Sequence, residues 1–229
     1  MQIGDPIGEG WAIYKRFWQH LLPLAFVTYL IISLIALVFA RVGGALGGLA
    51  SIVIAIAGVF LLQSALVEAV ADVRDGRADL TLTETLARVW PRLGAVVVAG
   101  ILAGLGVAIG FVLLVVPGLY LVTVWSVVIP VLILEKTGAL DSFGRSRALV
   151  RGYGWTVFGV IIVTFAVNLV ATIVVSILLS GFSHGVSQYL GNVIANTLIA
   201  PCVAATWTCM YFRLHALHEA PKTEAQAAA

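Results

Sequence analysis

LGAVVVAGILAGLGVAIGFVLLVVPGLYLVTVWSVVIPVLIL, residues 93–134, contains no Asp, Glu, Lys or Arg. A helix needs about 20 apolar residues to cross the roughly 30 Å hydrocarbon core of a bilayer. This run is therefore long enough for two crossings, and Val116-Pro117-Gly118 supplies a turn between them, because Pro followed by Gly favours a sharp reversal. Gly152–Tyr211 is uncharged too and holds two more. The whole chain of 229 residues is 61% hydrophobic and 10% charged, with a mean hydropathy of +1.08. A water-soluble domain has no way to hide that much apolar surface.

The fold expected is all-α, a polytopic membrane bundle of about six transmembrane helices near Leu21–Ala40, Leu49–Ala71, Leu93–Val115, Gly118–Leu134, Trp155–Leu179 and Val186–Phe212. Residues 1–220 read as one integral membrane domain and 221–229 as a disordered cytoplasmic tail. The first apolar run is long enough to span and follows a stretch holding Trp11, Tyr14, Phe17 and Trp18, so it reads as an uncleaved helix, not a signal peptide. Cys202 and Cys209 sit seven residues apart on one expected helix, about 10 Å along its axis, too far to bridge.

Charge is one-sided. Arg41 alone falls in an odd-numbered connection; the other twelve of 13 basic residues fall on the opposite face. The positive-inside rule then expects both termini in the cytoplasm, and Trp11, Trp18, Trp90 and Trp155 fall near the same inner boundary, where amphipathic rings are favoured. The acidic residues interleave with the basic ones, so no nucleic-acid partner is expected.

An amphipathic stretch precedes the first, third and fifth spans. Ile7, Trp11, Tyr14, Trp18 and Leu21 share one helical face; Leu82, Leu86, Val89 and Leu93 do the same, opened by a capping-box pattern at Thr81 and Glu84; Ala139, Phe143, Ser146, Val150 and Tyr153 follow more weakly. The expected unit is an interfacial helix followed by a hairpin of two spans, repeated over about 5–75, 79–135 and 139–213. Three such pairs suit packing around a pseudo-three-fold axis.

Several polar sets stand out. Asn168, Thr172 and Ser176 continue a four-residue stripe begun at Thr164, and Gln188, Asn192 and Asn196 form another on the next span. A turn near Phe182 brings the two stripes to equal depth, with Asn168 at Asn196, Thr172 at Asn192 and Ser176 at Gln188. Polar groups in hydrocarbon need partners, so the stripes serve either as interhelical glue or as a polar cleft for a headgroup or small solute. Glu68, Asp72 and Asp75 share a helical face at the inner end of the second span, and Glu135 holds the matching place in the fourth. Pairing with Arg88, Arg145 or Arg147 on the amphipathic helices is the expected role, with Arg151 nearby; these residues form structural ion pairs or meet lipid headgroups. Gly100, Gly104, Gly106 and Gly110 form two G-x-x-x-G patterns that allow close helix packing.

No catalytic set emerges. Gly181-Phe182-Ser183-His184-Gly185 matches the G-x-S-x-G string, but it joins two membrane helices with no acid on that side. His215, His218 and Glu219 suit a helix C-terminus better than a metal. No metal or other cofactor is expected.

Pro117-Gly118-Leu119-Tyr120, Pro130-Val131, Glu135, the run from Arg145 to Gly152 and Trp155 together resemble the bacterial membrane domain of glycerophosphoryl diester phosphodiesterases, a family that also occurs as stand-alone membrane proteins. The similarity covers about 40 residues, from Pro117 to Gly159. It implies a multi-helix bundle in a bacterial inner membrane. In full-length enzymes of that kind a separate soluble barrel carries the chemistry, and the spans leave no room for one in these residues, so the enzymatic activity is not carried over. The functional expectation is a non-catalytic membrane scaffold or accessory protein whose partners are membrane lipids, with a protein partner or a homo-oligomer as further candidates. The alternative is a lipid or small-solute transporter working through the polar cleft.

Overall fold

The computed structural model describes residues 2–42, 44–74, 76, 79–178 and 184–227; within these, the side chains at 36, 40, 42, 45, 49, 184–192, 195 and 220–227 are not described. Every element in the described residues is helical: α1 (Gly4–Val42), α2 (Gly44–Val73), α3 (Leu82–Val89), α4 (Leu93–Leu113), α5 (Val115–Val124), α6 (Val128–Leu134), α7 (Ala139–Val150), α8 (Gly154–Leu178) and α9 (His184–Ala227). Five stretches of the described residues are long and apolar enough to cross a membrane: Gly4–Phe39, Leu46–Val73, Leu82–Leu113, Val115–Leu134 and Gly154–Leu178. Large apolar side chains along them stay exposed, among them Leu46, Val112, Phe165 and Leu178. An exposed apolar surface of that extent requires an apolar solvent, and the chain is a helical membrane protein on these grounds.

The first amphipathic stretch forms the opening helix of α1. A kink at Phe17, whose φ −116° and ψ 21° are not helical, divides it from the span that follows directly, so α1 is two helices joined end to end. Pro23 lies just beyond the bend; it lacks the amide that would meet the carbonyl of Gln19, and its ring crowds that carbonyl. The second stretch is α3. Thr81 caps it, accepting from the Glu84 amide at 3.3 Å while the Glu84 carboxylate accepts from the Thr81 amide at 2.8 Å, so the capping box is formed. A 3-10 turn over Trp90–Arg92 links it to α4. The third is α7, joined to α8 through Gly152 at φ +90°, a left-handed conformation natural to glycine.

Two expected features differ in detail. The reversal after α4 pivots on Leu114, which is extended (φ −168°, ψ 149°), not on Pro117 and Gly118. Pro117 instead sits in the first turn of α5, where an amide would have no intrahelical acceptor. The fourth span is also not one helix: it breaks between α5 and α6 at Trp125–Val127, three residues before Pro130. At the other end of the chain, α9 continues to Ala227, past the Pro221 where a disordered tail was expected; Thr-Glu-Ala-Gln-Ala is rich in good helix formers.

The buried core collects where three helices meet. α2, α6 and α9 touch one another pairwise. One cluster joins Leu21, Leu24 and Ala25 of α1 to Leu62 and Leu66 of α2 and to Ala204 and Ala205 of α9. A second joins Val127 and Val131 to Leu149, Val157, Met210 and Leu214, and a third joins Val67 and Val89 to Val96, Val128 and Leu132. Each amphipathic segment packs on a neighbour of this trio: α3 on α2, α7 on α6, and α1 on α9. Gly10 approaches α9 closely: a methyl group there would lie 2.7 Å from the Thr206 backbone nitrogen.

Candidate functional site

The polar chemistry gathers near the ends of α2 and α6 and around Tyr211 and Arg213 of α9, where they meet the amphipathic segments. At the end of α2, Arg88 Nη1 of α3 lies 3.2 Å from Glu68 Oε1. At the end of α6, Arg145 Nε of α7 donates to both Glu135 oxygens at 3.0 and 2.8 Å, and the Tyr211 hydroxyl of α9 donates to Glu135 Oε1 at 3.0 Å. The hydrogen bond to Glu135 raises the already high pKa of Arg145, so this guanidinium is permanently charged. At α9, Arg213 reaches Glu9 Oε2 (2.8 Å) and Asp5 Oδ2 (3.4 Å) of α1, and Glu9 also meets Arg74 at 3.8 Å. Arg74 in turn stacks over Phe212, 4.1 Å from the ring centroid. Each junction therefore ties one helix of the central trio to an amphipathic segment. The signs reverse at the third: the carboxylates are on the amphipathic segment and the arginine is on the trio helix.

Asp72 has a different task. Its Oδ2 accepts from the amides of Asp79 and Leu80 at 3.0 and 2.9 Å, ordering the entry to α3, and it makes no ion pair with an arginine among the described residues. Asp75 lies outside the described residues. Arg147 and Arg151 are exposed and make no ion pair among the described residues.

Behind the Glu135 junction, α7 supports the break in the fourth span. In a continuous helix the Val124 carbonyl would take the Val128 amide, but that amide bonds Trp125 O instead, at 3.2 Å. The fully buried Ser146 hydroxyl fills the gap, donating to Val124 O at 2.7 Å. Phe143 packs edge-on against Trp125 with centroids 4.9 Å apart. Ser126, inside the break, keeps a buried hydroxyl with no partner among the described residues, and Pro130 offers its carbonyl no amide. Neither Ser146 nor Tyr211, Asp5, Glu9, Arg74 and Arg213 had been singled out as a site residue from sequence.

The remaining expected sets are placed as follows. Asn168, Thr172 and Ser176 are exposed on α8, and the Thr172 hydroxyl donates to the Asn168 carbonyl at 2.9 Å. Asn196 is half-buried; the side chains of Gln188 and Asn192 lie outside those described. Gly100 receives the Phe60 ring, Gly106 the Trp125 ring, and Gly110 the backbone of Gly118, 3.0 Å from where its Cβ would be; Gly104 faces open space. His215 pairs with Glu219 at 3.2 Å, and no three metal-ligating side chains converge among the described residues.

No protein-family model, no curated protein and no solved structure matches the chain.

Proposed function

We propose that this chain is a non-catalytic scaffold or accessory protein of a bacterial inner membrane, engaging anionic lipid headgroups and partner proteins from its cytoplasmic face. Its architecture in this reading is six spans in three hairpins, each hairpin preceded by an amphipathic segment, with both termini cytoplasmic and the trio α2, α6 and α9 around a pseudo-three-fold axis. The resemblance of Pro117–Gly159 to the membrane domain of glycerophosphoryl diester phosphodiesterases belongs to this reading, without the enzymatic activity.

The observation that carries it is a division of labour among the basic residues. Arg88, Arg145 and Arg213 are engaged by carboxylates of the protein itself. Lys15 and Arg16 are left exposed beside Trp11 and Trp18 on the first segment, and Arg147 and Arg151 are left exposed shortly before Trp155; these three tryptophans are 47% to 87% exposed. Exposed tryptophan beside exposed cations is the composition of a headgroup layer. Each such cation contributes about 1 kcal/mol of attraction to an anionic leaflet.

Reconstituted protein with spin-labelled phosphatidylglycerol or phosphatidylcholine tests this. The double variant R147Q/R151Q is expected to lose roughly two-thirds or more of the preference for the anionic lipid, with unchanged thermal stability. An unaltered preference counts against the reading.

A transporter of lipid or small solutes is the second reading, favoured by the broken fourth span. Discontinuous helices near mid-membrane mark the binding sites of many transporters, and the Ser126 hydroxyl is an unsatisfied group at such a break. Ligand-dependent thermal stabilisation that disappears in Ser126→Ala would favour it.

A further inference from the structure

A groove of about 330 Å³ lies between the first segment of α1 and the helices α8 and α9. Its wall is apolar almost throughout, with Trp11 and Tyr14 from α1, Val163 and Val167 from α8, and Ile199 and Val203 from α9. The only hydroxyls on the α8 and α9 walls are those of Thr164 and Thr206, and both are spent on carbonyls of their own helices, at 2.7 and 3.0 Å. A water molecule entering this space would find almost nothing to bond, so the site suits hydrocarbon. Its depth suits hydrocarbon as well. Val163 and Val167 stand about 12–18 Å along α8 from Trp155, within reach of the chains of the inner leaflet. The size falls at the lower end of the roughly 300–1,000 Å³ typical of ligand sites.

One feature sets this groove apart from any gap between helices. Lys15 Nζ lies over the Trp11 ring, 5.3 Å from its centroid, and that ring is part of the groove wall. A cation is thus held against a ring that lines an apolar slot. The slot would gain little from a tail alone, because bulk lipid solvates a tail equally well. Selectivity has to come from the headgroup, and the cation beside the wall supplies it.

We propose that this groove binds one acyl chain of an anionic inner-leaflet phospholipid, with the headgroup phosphate paired to Lys15 and the chain lying between α8 and α9. The inference rests on the headgroup-binding reading above but concerns a single, retained lipid and not the general preference of the surface.

Native mass spectrometry of the protein released from detergent, with phosphatidylglycerol or phosphatidylcholine added, tests it. The intact chain is expected to retain one phosphatidylglycerol in preference to phosphatidylcholine by five-fold or more. Lys15→Gln should equalise the two lipids. Ile199→Trp, which fills the slot, should abolish retention while leaving the spin-label preference set by Arg147 and Arg151 unchanged. Should that variant misfold, phosphatidylglycerol brominated on its acyl chain provides a second measurement in the unfilled protein: it should quench a component of the fluorescence that is missing from Trp11→Phe. Retention that survives both Lys15→Gln and Ile199→Trp, no retained lipid at all, or equal quenching in Trp11→Phe would overturn the proposal. Because R147Q/R151Q leaves the groove untouched and Ile199→Trp leaves every cation in place, loss of one result without the other separates this site from the general reading.

Discussion

Ser146 shows what a single hydroxyl can do inside a membrane. The Val124 carbonyl has lost its helical partner and has no water to turn to, so its hydrogen bond must come from elsewhere in the protein. Ser146 supplies it across 22 residues of sequence. Ser146→Ala leaves the carbonyl unsatisfied, and thermal unfolding in mild detergent is expected to show a loss of about 1–2 kcal/mol; a shift too small to measure would mean that the break is supported by other contacts. The sequence places Ser146 on the apolar face of an amphipathic helix but gives no hint of its acceptor, because nothing in Val-Trp-Ser-Val marks a broken helix. Pro130 is the only local sign, and proline in a membrane helix is compatible with an unbroken one. The acids are easier to read. Glu68 and Glu135 close a span just before an arginine-bearing amphipathic helix, so short-range proximity alone limits their partners to a few arginines.

The amphipathic segments show how much of an element is legible at all. Their apolar periodicity and the Thr81–Glu84 pattern are local signals, and α3 and α7 form where those signals lie. Thr81→Ala removes one half of the capping box and is expected to cost roughly 1 kcal/mol locally. Hydrogen exchange at the first amides of α3 should accelerate several-fold while the melting temperature of the bundle moves little; a large global shift would show that α3 holds the fold together and does more than cover it. That only the kink at Phe17, with no longer linker, divides the first segment from its span was not legible, since a kink and a linker leave the same hydrophobic period. Where α5 begins was hidden for a related reason: proline marks a turn and the first turn of a helix equally well.

At the scale of the whole molecule, membrane-crossing length is the most readable property, because the bilayer imposes it on every span. Least readable is how the two ends of the chain come together. Glu9 and Arg213 are 204 residues apart, and the signs are opposite to those of the other two junctions. Reasoning from Glu68 and Glu135 directs attention to carboxylates at helix ends and so passes over an arginine there. Arg213→Glu brings a third carboxylate to Asp5 and Glu9, and a lower melting temperature in detergent is expected. The pair is partly exposed, so the change should be on the order of 1 kcal/mol after solvent screening. Exchanging the charges, with Glu9→Arg added, should recover part of the loss; no recovery would mean that Arg213 acts alone and not through this pair.

The same junction bears on how the protein is made. A ribosome releases Glu9 204 residues before Arg213, so the two sides of this junction are made far apart in time. Until then the first segment has Arg74 as its nearest cation and an open flank where Thr206 will lie against Gly10. The earlier helices can enter the membrane one after another, while the opening segment waits, exposed to other binding partners and to proteases, for the last helix to dock.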